Sequence, residues 1–274
     1  MTAAAAMELV RHRRSVRTFD GAPLKAEDAQ TLIEFAKAFE NPYGQRAEWV
    51  LLSAKAHGLS SPVILGTDAY IAGKISRAPH AEEAFGYALE ALVLRAEELG
   101  LGTTIIAGTM NRAEFERAAQ LNEGEVMPCV SPLGYPAKKM SVRETLMRKG
   151  VKADSRFDFA EIFFDGAFDK PLTPEAAGDF AEPLEMVRWA PSAVNRQPWR
   201  AVRCGGTVHF YEKRTKGYID STGWDLQKVD MGIALYHFAF GIEAQGRKCR
   251  LSLEDPGIAA PDGVYYVASL VTES

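Results

Sequence analysis

A short basic stretch, Arg13-Arg14-Ser15-Val16-Arg17, combines residue types and spacing that could do chemistry. We call residues 13–17 the arginine segment. In an extended chain alternate side chains point to one side, so Arg13, Ser15 and Arg17 could converge on a single anion. Guanidinium groups and a hydroxyl donor suit a phosphate monoester. The alternative is a solvated basic segment, and the spacing alone does not decide between the two.

A second candidate lies in residues 190–199, which we call the Pro-Ser loop. The stretch reads Ala190-Pro191-Ser192-Ala193-Val194-Asn195-Arg196-Gln197-Pro198-Trp199. Because a proline disfavours helix at the residue before it, a helix must end ahead of Pro191. Small residues then allow the backbone to approach a ligand, and Ser192 and Asn195 offer short polar groups. A proline-rich connection that leads into a core Trp199 is the alternative.

A third candidate follows a predicted long helix, where residues 99–108 read Leu-Gly-Leu-Gly-Thr-Thr-Ile-Ile-Ala-Gly. A dinucleotide fingerprint needs a strand, a glycine turn and then a helix, so this order excludes it. Gly100 is better explained as the end of the helix. Ala107 and Gly108 close a predicted strand at Thr103–Ala107, and their backbone N–H groups could face a flat ring.

The elements that position these candidates are predicted from an internal repeat. Phe19-Asp20-Gly21-Ala22 recurs as Phe164-Asp165-Gly166-Ala167, and Gly86-Tyr87-Ala88-Leu89 corresponds to Gly232-Ile233-Ala234-Leu235. Two copies are too few for a solenoid, so we predict an α+β fold of two diverged halves packed as an intrachain pseudo-dimer. The halves are residues 1–160 and 161–274. Further strands are predicted at Val126–Leu133, Cys249–Leu253 and Val264–Val271.

The two copies differ where the candidate chemistry lies. The arginine segment occurs only in the first copy, because the second has Phe157–Phe163 there, with Asp158 and Glu161 as its charges. The Pro-Ser loop occurs only in the second copy. Each candidate segment is therefore present in one copy only.

Composition limits the remaining classes of protein. The 274 residues carry a net charge of −4, which argues against nucleic-acid binding. The three cysteines show neither a metal-binding pair nor a disulfide framework, which fits a reducing compartment. The start lacks the order of a secretory signal, and no apolar run reaches the roughly eighteen residues of a membrane span. We therefore predict a cytoplasmic protein with no membrane partner.

Other polar residues suggest no catalytic group. The histidines lack the spacing of metal ligands, so surface or core roles are expected for them, and His12 is expected in solvent. No metal site is predicted. Tyr211, Lys213 and Arg214 are expected to be exposed rather than to line a pocket.

Together these motifs resemble the nitroreductase-like flavoproteins, and in particular their fused pseudo-dimer (TM nitroreductase-like) subgroup. The arginine segment with Phe19 and the Pro-Ser loop are the specific matches. Two short glycine motifs, Gly100-Leu101-Gly102-Thr103 and Leu133-Gly134-Tyr135-Pro136, add weaker support. The resemblance covers both halves of the chain.

The resemblance implies one FMN between the two halves. It implies that the phosphate and ribityl chain are bound by the first half and that the Pro-Ser loop approaches from the second. The implied cofactor-binding residues are Arg13, Arg14, Ser15, Arg17, Ala107, Gly108, Arg156, Pro191, Ser192, Ala193 and Asn195. Two departures are Asp154, where the family often has lysine, and a short connection after Trp49.

The implied function is that of an FMN-dependent NAD(P)H oxidoreductase acting on a small-molecule electron acceptor such as a nitroaromatic compound or a quinone. The fused halves make a monomer plausible. A flavin-binding or carrier protein without turnover is the main alternative, and a phosphate-binding protein without flavin is a second.

Overall fold

The structure is a computed structural model that describes residues 1–219 and 223–273. Its contacts divide the chain into two compact units. The N-terminal unit is His12–Ala153, and the C-terminal unit combines Met1–Arg11 with Asp154–Ser274. The sequence placed the division between residues 160 and 161, whereas residues 154–160 and 1–11 group with the C-terminal unit.

The first helix, α1 (Ala3–His12), explains part of that grouping. An alanine-rich run favours helix, and Ala6, Met7 and Val10 form a buried apolar stripe at helical spacing. A guanidinium nitrogen of Arg11 lies 3.7 Å from a carboxylate oxygen of Glu185, which is also in the C-terminal unit. The chain therefore starts in the unit that also contains its end.

The N-terminal unit contains one antiparallel sheet. Strand β2 pairs with β1, β3 and β4. The helices of this unit are α2 (Ala26–Ala38), α3 (Ala54–His57), α4 (Ala81–Glu98), α5 (Arg112–Ala118) and α6 (Val142–Gly150). The strands are β1 (Glu48–Ser53), β2 (Ala69–Ser76), β3 (Glu125–Val126) and β4 (Val130–Leu133).

The C-terminal unit contains a larger sheet of order β6-β5-β7-β8-β10-β9. Its pairs are antiparallel apart from β5 with β7, which is parallel. The strands are β5 (Phe163–Asp165), β6 (Ala167–Pro171), β7 (Trp199–Cys204), β8 (Thr207–Lys213), β9 (Lys248–Ser252) and β10 (Val264–Glu273). The remaining helices are α7 (Phe159–Ile162), α8 (Pro174–Ala177), α9 (Ala181–Trp189) and α10 (Leu226–Ala244).

The internal repeat is visible in the order of elements. The series α2, β1, β2, α4 and β4 corresponds to α9, β7, β8, α10 and β10. The long helices α4 and α10 are both largely buried, and each is followed by a glycine with positive φ, Gly100 at 72° and Gly246 at 76°. Glycine adopts this left-handed backbone without a Cβ penalty, so both helices end where the sequence predicts. The α+β class with two related halves is confirmed.

The strand predicted at Thr103–Ala107 is reduced to isolated bridges. Gly102 pairs with Gly134 and Ile106 pairs with Val130, both antiparallel. This register places Thr104 opposite Pro132, which has no N–H to donate, so the ladder is interrupted there. The N–H of Thr104 donates instead to the hydroxyl of Ser131, at 3.2 Å.

The matching Phe-Asp-Gly-Ala motifs are paired differently in the two units. Phe19 bridges Pro136, whereas Phe164 lies in β5 opposite Val202 of β7. The repeat therefore diverges at its start, next to the arginine segment. None of the helices in the described part of the chain is long and apolar enough to cross a membrane.

Candidate functional site

The arginine segment is extended in the N-terminal unit and is held by backbone hydrogen bonds on either side. The N–H of Val16 donates to the carbonyl of Thr103 at 2.8 Å, and the N–H of Phe19 donates to the carbonyl of Leu65 at 2.9 Å. The carbonyl of Arg17 accepts from the N–H of Leu65, also at 2.9 Å. The backbone between the arginines is thus fixed without using their side chains.

Three glycines allow this close packing. A Cβ on Gly102 would lie 2.8 Å from the Cβ of Val16, and a Cβ on Gly134 would lie 3.0 Å from the ring of Phe19. Gly66 has φ of +83°, and a Cβ added there would overlap the carbonyl oxygen of Phe19. Gly102 and Gly134 belong to the two short motifs of the family resemblance, so those motifs support the arginine segment sterically.

Arg13 and Arg14 contact different acidic residues. Nε of Arg13 lies 3.9 Å from Oε1 of Glu90 on α4, and both side chains are almost fully buried. Nη1 of Arg14 lies 3.7 Å from Oε1 of Glu144 on α6. Among the described residues, Nε of Arg13 and Nη1 of Arg14 are buried donors with no hydrogen-bond acceptor. Both donors thus lie beyond hydrogen-bond distance of the neighbouring glutamates.

Arg17 lies close to the same glutamate as Arg14. Burial lowers the pKa of Arg17, the nearby carboxylate of Glu144 opposes this, and the like charge of Arg148 adds to it. Taken together, Arg13, Arg14, Arg17 and Arg148 against Glu90 and Glu144 give a local charge of about +2. A bound anion would offset this charge.

Ala107 and Gly108 lie in the same unit, after the bridge at Ile106. The chain bends at residues 107–110, and Gly108 is exposed. The carbonyl of Ala107 accepts from Nη2 of Arg112 at 3.1 Å. Neither motif nor composition identified Arg112, because its contacts depend on residues that only the fold brings together.

The Pro-Ser loop lies in the C-terminal unit and is anchored to helix α10. The N–H of Ala193 donates to both carboxylate oxygens of Asp230, at 3.0 and 3.1 Å. The hydroxyl of Ser192 accepts from the N–H of Gln197 at 2.8 Å. The loop is thus shaped by its own polar groups and by one buried carboxyl.

Three residues of this loop adopt left-handed backbone. The φ angles are 45° for Val194, 57° for Asn195 and 49° for Gln197. A β-branched residue rarely adopts this conformation, at a cost of roughly 1–2 kcal/mol. The side chain of Val194 is exposed, so core packing does not account for this conformation. Backbone strain of this kind is concentrated at functional sites.

Asp230 is fully buried, and this environment controls its ionisation. Burial raises the pKa of the carboxyl well above its usual value, while the N–H of Ala193 acts in the opposite direction. The nearby carboxylates of Asp225 and Glu212 raise it further. Sequence reasoning missed Asp230, since a single aspartate in an apolar helix gives no sign of the loop that it contacts.

Arg156 belongs to the C-terminal unit, although the sequence boundary assigned it to the first half. Its guanidinium carbon lies 4.9 Å from the centre of the Trp189 ring, and Nη1 lies 3.5 Å from Oδ1 of Asn195. Nδ2 of Asn195 donates to the carbonyl of Ser155 at 3.1 Å. The structure therefore brings Arg156 and Asn195 together, next to the end of α9.

The family model described as "Putative TM nitroreductase" matches residues 5–242. That range covers most of both units. The chain belongs to this family. The resemblance inferred from the motifs is thereby confirmed. No curated protein is a significant match to this nitroreductase-family chain.

Several solved structures are similar to this chain or to part of it. A "putative nitroreductase" from Thermotoga maritima is similar over 99% of this chain and 94% of its own, with 19% identity and a TM-score of 0.63. A "Putative NADH dehydrogenase/NAD(P)H nitroreductase" from Bacteroides thetaiotaomicron covers 50% of this chain and 89% of its own, with 23% identity and a TM-score of 0.44. An "FMN-dependent Nitroreductase" from Clostridium difficile covers 52% and 94%, with 17% identity and a TM-score of 0.42. The first of these confirms the nitroreductase-like fold.

One expectation about exposure is wrong. Tyr211 is buried, with 1% of its surface exposed, because β8 is covered on both faces and the ring packs against Phe168 and Tyr266. Lys213 and Arg214 are exposed, as predicted. The side chain of His12 is also 82% exposed, so the expectation that it faces solvent is confirmed.

Proposed function

We propose that this nitroreductase-family chain is an FMN-dependent oxidoreductase that moves electrons from NADH or NADPH to a small organic acceptor, such as a nitroaromatic compound or a quinone. Family membership over residues 5–242 supports the general class, a flavin oxidoreductase. The observation that carries the binding part is the partly buried, net-positive cluster around the arginine segment.

The cluster fits the phosphate of FMN. A phosphate monoester carries a charge of roughly −1.5 to −2 near neutral pH. This charge nearly balances the positive charge of the arginine cluster. Arg13, Arg14 and Arg17 supply guanidinium donors, and two of those donors lack an acceptor within the described chain. Since the backbone of residues 15–19 is already fixed, binding costs little further ordering. In the proposal Arg13, Ser15 and Arg17 contact the phosphate and ribityl chain.

The other predicted site residues divide between the units. Ala107 and Gly108 are proposed to direct backbone N–H groups toward the edge of the flavin ring. The hypothesis that Pro191, Ser192, Ala193 and Asn195 contribute to the same flavin, together with Arg156, stays a prediction. It is supported by the unusual backbone of that loop and by the contact between Arg156 and Asn195.

When bound, FMN supplies reversible acceptance of a hydride, which is two electrons with one proton. The role proposed for this chain is to bind and orient. Arginine side chains hold the phosphate, and backbone N–H groups at residues 107–108 favour negative charge where it develops during reduction. We propose no side chain as an acid or base.

Binding is tested by titrating purified protein with FMN and following the flavin fluorescence. Arg17→Ala is expected to raise the FMN dissociation constant about 10- to 100-fold, because one charge-assisted contact is worth roughly 1.5–3 kcal/mol. Arg13→Ala is expected to act in the same direction, although it also removes a partner of the buried Glu90. The control is Arg46→Ala, whose exposed side chain pairs with Glu40. Equal weakening by the control would contradict a phosphate site at the arginine segment.

Turnover is tested with the FMN-loaded protein, NADH or NADPH, and a nitroaromatic compound or a quinone. Steady oxidation of the nicotinamide that depends on the acceptor is the expected result. FMN bound with unchanged affinity but without turnover would instead favour a flavin carrier. Protein that stays colourless after addition of FMN would overturn the proposal and leave a phosphate-binding protein.

A further inference from the structure

The short loop that contains Gly108 is anchored on both sides. We call residues 107–109 the Gly108 loop. Just before it, the N–H and carbonyl of Ile106 bond to Val130 at 2.8 and 2.9 Å. The carbonyl of Ala107 accepts from Arg112 at 3.1 Å, and the carbonyl of Thr109 accepts from the hydroxyl of Ser61 at 2.7 Å. Each of these contacts lies within the N-terminal unit.

The side chain of Arg112 is fixed by several contacts and can therefore anchor the Gly108 loop. It is the first residue of α5, and its guanidinium also donates to the carbonyls of Met127 and Pro128, at 2.5 and 3.3 Å. Nη1 lies 3.5 Å from Glu116, one turn later in the helix. A planar fork can reach three carbonyls at once, which the ammonium group of lysine does not reproduce in the same geometry.

Arg112 fixes the direction of the Gly108 N–H, and Ser61 holds the other end of the loop. In a trans peptide the carbonyl and the N–H of one unit point in opposite directions. Because the carbonyl of Ala107 points at Arg112, the N–H of Gly108 points away from Arg112. Gly108 is exposed, and a Cβ added to it would meet nothing within 4 Å. Residue 108 therefore lies at the surface, with its N–H on the side away from Arg112.

We propose that Arg112, assisted by Ser61, is a positioning residue that orients the Gly108 N–H toward the cofactor and thereby tunes its reduction. This inference rests on the proposed function, since it takes FMN as the group that the loop meets. Neither side chain contacts the flavin in this proposal. Both act by holding carbonyls of the Gly108 loop, so that the donor is aligned before the cofactor binds.

The test compares Arg112→Lys, Arg112→Ala and Ser61→Ala with the wild type. Arg117→Ala is the control, because Arg117 is exposed on the same helix. The backbone order parameter of the Gly108 amide is measured by NMR relaxation in protein without flavin. The midpoint potential of bound FMN is measured in the loaded protein. Should Arg112→Ala fail to fold, Arg112→Lys and Ser61→Ala still probe the two anchors separately.

Loss of either anchor is expected to lower the order parameter of the Gly108 amide from about 0.85, typical of rigid backbone, to below about 0.6. It is also expected to weaken the binding of reduced FMN about tenfold relative to oxidised FMN, measured as a more negative midpoint potential. The control should change neither quantity. An unchanged order parameter in each anchor variant would overturn the inference, and so would a lower order parameter with an unchanged potential. Failure of the wild type to bind FMN is a separate result that overturns the proposed function and, with it, the role of Arg112 toward a flavin.

Discussion

Gly102 and Val16 show how a residue without a side chain can position residues that carry charge. Val16 lies between the arginines of the predicted phosphate site, and Gly102 leaves room for it. The glycine-rich motif around Gly102 was visible in the sequence as a weak family signal. Its physical role was not, because Val16 and Gly102 are separated by more than eighty positions in the chain.

Gly102→Ala is expected to displace the arginine segment. The new Cβ would lie 2.8–2.9 Å from three atoms of Val16. Overpacking of this kind costs about 1–3 kcal/mol of folding free energy, and FMN affinity should fall with it. Urea unfolding and an FMN titration measure the two effects.

Two further variants separate a local clash from general damage. Adding Val16→Ala to Gly102→Ala should recover part of both losses, since it removes the two clashing Cγ atoms of Val16 and leaves only its Cβ in the way. Gly150→Ala is the matched control, because a Cβ there meets no atom within 4 Å. Failure of the double variant to recover either property would argue that Gly102 acts in some other way.

At the scale of elements, helix α10 controls the Pro-Ser loop through one side chain. Asp230 accepts the N–H of Ala193, and the loop next to it carries three left-handed residues. The sequence predicted the long helix and the loop as separate elements. Their contact depends on how α10 packs against the end of α9, which local propensity does not encode.

Asp230→Asn is expected to stabilise the protein increasingly as the pH rises. The pKa of Asp230 is raised by burial, so the folded state binds a proton that the unfolded state releases near pH 4. The contribution of Asp230 to stability is therefore complete below about pH 4 and is lost as the pH rises toward the folded pKa. Asparagine keeps an acceptor for Ala193 and carries no charge, so we expect a gain of about 1–3 kcal/mol once Asp230 would ionise.

The measurement is the difference in unfolding free energy between variant and wild type at pH 4, 6 and 8. The titration of Glu212, whose pKa is also raised by burial, contributes to this difference as well, because its carboxylate interacts with that of Asp230. Asp169→Asn on the exposed strand β6 is the control and should give a flat difference. A difference in unfolding free energy that stays constant or falls with pH for Asp230→Asn would contradict a raised pKa of Asp230 in the folded protein.

The strands show a second limit of what the sequence predicts about the elements. Apolar runs correctly indicated β9 and β10, while the run at Thr103–Ala107 forms isolated bridges. The reason is Pro132 on the partner segment, whose missing N–H becomes relevant only once the register is known. A side-chain pattern predicts where a strand is favoured, but its partner decides whether the ladder is complete.

At the scale of the whole molecule, the two units retain related elements but different functional segments. The arginine segment lies in the N-terminal unit, and residues 157–163 occupy the equivalent place in the other copy. There, Asp158 and Glu161 form a capping box at α7, and Phe159 and Phe163 are buried. Acidic and aromatic residues in these positions do not favour a phosphate.

One FMN per chain is therefore expected at saturation. The ratio is measured from the absorbance of flavin released from a known amount of protein. Arg17→Ala should reduce the bound flavin toward zero at limiting FMN, with no second population left behind. A ratio near two in the wild type would show that the second copy has kept a site of its own.

The sequence by itself determined the internal repeat, the α+β class, the family and the division of motifs between the copies. Each of these depends on periodicity or on short local patterns, which a linear chain displays directly. Only the tertiary structure decided how the arginine segment is held, which residues fix the Gly108 loop and which carboxyl anchors the Pro-Ser loop. Those contacts, to Gly102, Arg112 and Asp230, depend on a register and on packing that exist only after the chain has folded.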